Sequence, residues 1–249
     1  MQGQIVRVKG TFSRGNLPKL SDFDTSFLLQ EILKHESCKH FYDLSNTSAM
    51  VLEDGKAVSI SDLKGGNPIT ATLAQAPTYD QTLFGGRGGL VFSGAQRMLG
   101  NGLFQETTTT INVSFQANAA NGANNFILIP TVGTSGGSLY FNNNAIRSFS
   151  AGLFKNTEST FKRTNLSNIY KPDLLFKTTI NEEVLAMTAA GQAYHMVKEN
   201  SVLNVGSSAT PASYGNFNLG HIAIFETDIS TDAYLFELVN EFHKRQYNI

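Results

Sequence analysis

From His40 onward the chain is a succession of short apolar runs, "INVSF", "NFILIP", "SLYF", "AIRSFS", "PDLLFKTTI" and "GHIAIF", set between clusters of Gly, Asn, Ser and Thr. This punctuation constrains the fold more than any other feature. Short runs enriched in β-branched and aromatic residues, bounded by turn formers, are the pattern of antiparallel strands in a sandwich or barrel. "SLYFNNNAIRSF" reads as a hairpin, because Asn tolerates the left-handed backbone of a tight turn. No fixed-period repeat is present, which argues against a propeller or solenoid.

The chain nevertheless finishes on a helix. In "GHIAIFETDISTDAYLFELVNEFHKRQY", Gly220 to Tyr247, an alternating strand passes through an acidic turn into a segment with Leu235, Leu238, Val239 and Phe242 on one helical face. Ser230 or Thr231 is the expected cap, and Asp232 suits the positive end of the helix. Such a helix has too little apolar surface to stand alone. It is predicted to lie on the sandwich, across one end or along an edge that would otherwise invite aggregation. A second helix is predicted from Thr25 to about His35, capped by Asp24, with Phe23 packing on Leu28. Leu28, Leu29, Ile32 and Leu33 form its stripe. Ahead of it, "QIVRVKGTF" alternates as a short exposed strand and "SRGNLPKLSDF" has the vocabulary of an extended connection.

At 249 residues the chain accommodates one large all-β domain or two ordinary ones. With 19 basic and 20 acidic residues its net charge is −1, so no basic field exists to recruit nucleic acid or an anionic membrane. The single cysteine, Cys38, excludes an intramolecular disulfide and argues against a cysteine-based zinc site. The start "MQGQIVRVKGTF" lacks the layout of a signal peptide, and no run approaches the ~20 apolar residues needed to span a bilayer. A soluble protein made in a cytosol is expected.

No catalytic motif stands out, and no catalytic residue is expected. Glu182 and Glu183 in "INEEVL" are adjacent; a strand would point them to opposite faces and a turn would expose both. His35, Cys38 and His40 in "KHESCKH" are close together but read as a solvated helix end. His195, His221 and His243 are scattered, so no metal or other cofactor is expected. His221, alternating with Ile222 and Ile224, reads as an ordinary strand position. "FGGRGGL" lacks the Lys-Ser/Thr of a phosphate loop and reads as a turn around Arg87. Sugar sites combine an aromatic plane with amide and carboxylate groups on loops. Tyr140, Asn142, Asn143, Asn144 and Tyr214 offer such rings and amides, although the plain reading of the Asn run is a hairpin tip. Charged residues make up only 16% of the chain, which with the abundant Asn, Thr, Ser and Gly fits a robust extracellular or virion surface.

The order of segments from Phe41 to the end resembles the laminin-G/concanavalin-A-like jelly-roll modules of bacteriophage virion structural proteins. "FYDLSN" resembles their opening segment, and "ISDLKGGNPITATLAQAPTYD" their polar stretch leading into Pro-Thr-Tyr. "GGLVFSGAQRML", "LLFKTTINEEVL" and "LNVGSS" resemble later strands, and the segment from Gly220 resembles the closing strand, turn and helix. Two departures stand out: the chain has no tryptophan, with Phe41 and Tyr42 in its place, and its polar loop reads "DLKGGN".

The resemblance implies an all-β fold, an antiparallel β-sandwich of the concanavalin-A-like jelly-roll type with a C-terminal helix over residues 41–249. Residues 1–40 would be an N-terminal docking segment of strand and helix. It further implies a non-enzymatic virion structural protein, a capsid decoration, head-fibre or tail-associated component, made in the host cytoplasm and carried on the virion. Its partners would be other virion proteins, bound through residues 1–40, a cell-surface glycan, and further copies of itself in a homo-oligomer, with no nucleic acid and no membrane. The alternatives are a free carbohydrate-binding module and a divergent glycoside hydrolase.

Overall fold

A computed structural model describes residues 20–118, 125–132, 135–136, 139–142, 145–148, 154–156, 164–171, 174–186, 199–207 and 214–247. The segment expected as a first strand, "QIVRVKGTF", lies outside them. In chain order the elements begin with α1 (Leu20–Lys34), β1 (Cys38–Asp43), β2 (Met50–Glu53), β3 (Lys56–Ile60), β4 (Ile69–Thr70) and β5 (Thr78–Asp80). There follow α2 (Leu83–Gly86, a single turn), β6 (Gly89–Ser93), β7 (Met98–Gly100), β8 (Thr109–Ala117), β9 (Asn125–Val132), β10 (Ser135–Gly136), β11 (Leu139–Asn142), β12 (Ala145–Ser148) and β13 (Phe154–Asn156). The chain closes with β14 (Thr164–Lys171), β15 (Leu174–Ile180), β16 (Glu183–Ala186), β17 (Val202–Val205), β18 (Asn216–Phe225) and α3 (Ala233–Tyr247).

The strands pair antiparallel in two layers. One runs β16–β15–β14–β8–β18, and the free edge of β18 is shared by β6 along Asn216–Leu219 and β1 along His221–Phe225. The other runs β4–β7–β17–β9–β11–β12–β13. β5 and β3 join the layers at one side. The expected hairpin "SLYFNNNAIRSF" is β11–β12, with Asn142 opposite Ala145. The chain is an antiparallel β-sandwich with a C-terminal helix.

Between the layers lies an apolar core to which Tyr42, Phe92, Val113, Phe115, Leu203, Val205 and Phe217 contribute. Phe92 and Phe217 stack with centroids 4.7 Å apart. Phe41 and Tyr42 of the opening segment are both buried.

β18 serves two layers through one irregularity. Its register against β8 shifts between Leu219 and His221, so Gly220 is an extra residue and the alternation reverses there. Phe217, Leu219, Ile222 and Ile224 therefore face the sandwich interior, whereas Ala223 and Phe225 join a second apolar cluster beneath the helices. A side chain at Gly220 would meet the Tyr247 ring at 2.6 Å, so the close approach of α3 requires glycine there.

α1 is longer than the sequence pattern predicts. It begins at Leu20, so Asp24 lies inside the helix and not at its cap. The expected stripe does pack, with Ile32 buried in the second cluster and Leu28, Leu29 and Leu33 against it.

Candidate functional site

α3 lies on the outer face of the layer containing β18. Leu235, Leu238, Val239 and Phe242, the stripe read from sequence, are all buried there against Phe41, Ala223 and Phe225. The cap is not Ser230 or Thr231. Those residues form a 3-10 turn, Ile229–Thr231, whose capping side chain is Asp228, and Asp232 Oδ1 accepts the Leu235 N–H at 3.0 Å to cap α3. A carboxylate serves better at this end because it accepts a bond and also meets the positive end of the helix. Asp228 additionally receives Lys177 Nζ at 2.6 Å, tying β15 to the turn before α3.

Beneath the helix lies a polar cluster. His243 of α3, His221 of β18, and Asn112 and Ser114 of β8 are each no more than 1% exposed. His243 Nε2 and His221 Nε2 lie 2.9 and 3.0 Å from the same oxygen, Asn112 Oδ1. The Asn112 amide donates to Ser167 Oγ at 2.8 Å and to the Leu166 carbonyl at 3.3 Å. Since Asn112 Oδ1 only accepts, both imidazoles carry their proton on Nε2. His243 Nδ1 then accepts from the Ser114 hydroxyl. His221 Nδ1 has no hydrogen-bond partner among the described residues. The His221 ring stacks between Phe41 at 5.2 Å and Tyr247 at 5.4 Å, with the His243 ring 4.3 Å away. Burial drives the pKa of His221 down to about 3 and that of His243 well below the ordinary histidine value, the latter also through its neighbour.

One flank of α3 forms one wall of an open cleft of about 320 Å³, whose opposite wall is the β15–β16 turn. Phe236, Glu237, Asn240, Glu241 and Lys244 line it from the helix and Glu182 from the turn. Glu182 pairs with Lys244 across the gap. Phe236 is half-buried and Asn240 buried, so a ring and an amide sit among carboxylates and one ammonium. The turn exposes both Glu182 and Glu183, as the sequence allowed.

The polar loop "DLKGGN" is organised by its first residue. Asp62 accepts from the Phe41, Lys64 and Gly66 N–H groups at 2.9 to 3.0 Å and sits 2.7 Å from His40 Nδ1. Burial pushes this carboxyl up, but the bonds from His40 and from those N–H groups outweigh it, leaving it below the ordinary carboxylate value. The "KHESCKH" residues part company: His35 contacts Ser37 and Asp232, His40 contacts Asp62, and the buried Cys38 thiol is pushed up to about 12 by desolvation.

Of the residues singled out as sugar ligands, Tyr140 sits in β11 opposite Arg147 and Phe126, and Asn142 closes the hairpin. Tyr214 bridges Ser207, just beyond β17. Asn143 and Asn144 lie outside the described residues. Tyr140 and Asn142 belong to the β9 layer, and none of the three described positions lines the α3 cleft. Neither the cleft nor the histidine cluster was anticipated from sequence.

No family model and no curated protein matches this chain. Solved structures match over most of it at low identity. Trypanosoma rangeli sialidase in complex with sialic acid gives a TM-score of 0.60 at 9% identity, covering 89% of this chain and 38% of that one. The binding domain of botulinum neurotoxin serotype D gives 0.56 at 13%, covering 88% and 53%. Domain 4 of an extracellular GH43 arabinanase from Geobacillus stearothermophilus, solved with arabinotriose, gives 0.52 at 13%, covering 83% and 98%. The chain thus spans well under half the length of the sialidase, and the shared property is the fold. These matches correct the expectation of a non-enzymatic protein: the fold is one that glycoside-hydrolase chains also carry. No described helix is long and apolar enough to cross a membrane.

Proposed function

We propose that this chain is a carbohydrate-binding β-sandwich and that an oligosaccharide occupies the cleft between α3 and the β15–β16 turn. The observation that carries this reading is the lining of the cleft. Phe236 offers a ring surface, Asn240 an amide, Glu182, Glu237 and Glu241 hydroxyl acceptors, and Lys244 a donor. Sugars are held by this combination of an apolar face and orienting polar groups. The fold supports it: the arabinanase domain was solved with arabinotriose, and a botulinum neurotoxin type C similar to this chain is described as interacting with two ganglioside molecules.

A glycan array followed by calorimetric titration of the hits tests the proposal. Phe236→Ala with Glu237→Gln should weaken binding about tenfold or more, equivalent to roughly 1.4 kcal/mol. Tyr140→Ala and Tyr214→Ala should leave it unchanged. The opposite pattern would move the site to the strand region first read from sequence. Assaying the same hits for reducing-sugar release establishes whether binding is accompanied by cleavage. A virion role, with residues 1–40 as the docking segment, is a second reading carried by the order of sequence motifs alone. Loss of particle incorporation on deleting residues 1–19, which leaves α1 and β1 in place, would support it.

A further inference from the structure

We propose that the buried histidine pair beneath α3 is an acid-operated latch, which holds the helix on the sandwich while both rings are neutral and releases it when they take up protons. Three observations of geometry carry this. In the neutral cluster Asn112 Oδ1 accepts from both Nε2–H groups and the Ser114 hydroxyl donates to His243 Nδ1, so every imidazole N–H is paired. A proton added to His221 would sit on Nδ1, which meets no acceptor among the described residues. The rings are 4.3 Å apart, so two imidazolium charges would face each other in a site closed to water.

The latch is placed to act on the helix and not on the sandwich as a whole. His243 is carried by α3, and its partners His221, Asn112 and Ser114 are on β18 and β8. Lifting the helix hydrates both rings while the core between the sheets, which contains neither, stays closed.

The sign of the pH response follows from the neighbouring groups. Each imidazole has a folded pKa below its free value of about 6.5, so the released state binds more protons and the latched state loses ground as pH falls below that point. The loss continues until the folded pKa is reached, about 3 for His221. From β1, Asp43 faces the same side as His221; burial raises its carboxyl, which favours the closed state in acid and so works in the opposite sense. From α3, Tyr247 is buried as a neutral phenol, its pKa raised by desolvation, with Arg87 from beside α2 near enough to oppose that rise. β8 and β14 contribute uncharged Ser114, Asn112 and Ser167. At the start of α3, His35 Nε2 lies 3.3 Å from Asp232 Oδ2. The two buried histidines therefore set the direction.

Because α3 also walls the cleft, release would dismantle it; that consequence rests on the carbohydrate reading, whereas the latch itself does not. Hydrogen exchange of the whole chain between pH 7.5 and 4.5, corrected for intrinsic rates, tests the latch without any ligand. Below pH 6.5 the open population of the α3 amides should rise by about tenfold per pH unit for each histidine, approaching a hundredfold for both, while the β7, β17 and β9 amides keep their protection. Replacing His221 with Phe, which preserves ring stacking, should reduce the response to about tenfold per unit. The double variant His221→Phe with His243→Leu should abolish it, and if that variant fails to fold the single one still decides. A flat response in the native chain, an unchanged slope in His221→Phe, or simultaneous loss of protection in β17 would overturn the proposal.

Discussion

The two buried layers of this molecule are built on different terms, although β18 supplies side chains to both. Between the sheets, Phe217, Leu219, Ile222 and Ile224 meet Phe92, Phe115 and Leu203 in a core of apolar contacts. Beneath α3, Ala223 and Phe225 lie beside His221, Asn112, Ser114 and His243. The first layer is held by contact area and shape and has no reason to respond to pH. The second contains in addition two closely spaced, buried imidazoles whose protonation is opposed by burial. A fold can thus carry a permanent core and a conditional one on opposite faces of one sheet.

The strongest way to break the permanent layer is Phe217→Ala. The side chain is fully buried and stacked on Phe92, so its loss should cost about 3–5 kcal/mol. The cost, measured by urea denaturation, should be the same at pH 7.5 and pH 6.

The corresponding break in the conditional layer is Asn112→Leu, which orphans two imidazole N–H groups and should cost about 1–3 kcal/mol for each. Asn112→Asp sharpens the contrast further. A carboxylate at this point favours one protonated imidazole, so the acid-induced loss of α3 protection should move to lower pH, opposite in direction to a simple weakening of the layer. Thermal unfolding followed across pH 7.5 to 4.5 separates the two variants.

Gly220→Ala tests the seam between the layers. The added methyl meets the Tyr247 ring, whose hydroxyl donates to the Gly220 carbonyl at 2.9 Å, and displacement of that ring should cost about 1–3 kcal/mol. Near-UV circular dichroism should report the moved tyrosine. The smallest effects belong to the ends and outer face of the helix. Asp232→Ala removes the cap at about 1 kcal/mol. Arg245→Ala, which breaks an exposed pair with Glu241, should cost no more than about 0.5 kcal/mol.

Much of the permanent layer was legible in the sequence, because its strands and hairpins are local. "NFILIP", "INVSF" and "GHIAIF" each fall within a strand, and "SLYFNNNAIRSF" forms its hairpin. The stripe Leu235, Leu238, Val239 and Phe242 identified the buried face of α3 because helical period alone fixes it. The conditional layer was hidden for a physical reason. Asn112, His221 and His243 meet only through the pairing of β8 with β18 and the docking of α3, and the bulge at Gly220 resets which residues of β18 face outward. Periodicity assigns His221 a face but not a neighbour. The same holds for the cleft: Glu182 reads as a turn residue and Lys244 as a helix end until the hairpin and helix are set side by side. The cap was misplaced by a turn because Ser230 and Thr231 are good capping residues, yet the chain spends them on a 3-10 turn stabilised by Asp228.

Side-chain nitrogen NMR of the histidines tests the foundation of this comparison most directly. Two rings should show the neutral form protonated on Nε2 at pH 7.5 and should hold those shifts down to pH 5, or vanish together with the signals of α3 as the helix opens. Titration of every ring near pH 6.5 while the α3 signals stay in place would contradict a helix seated on a buried neutral pair.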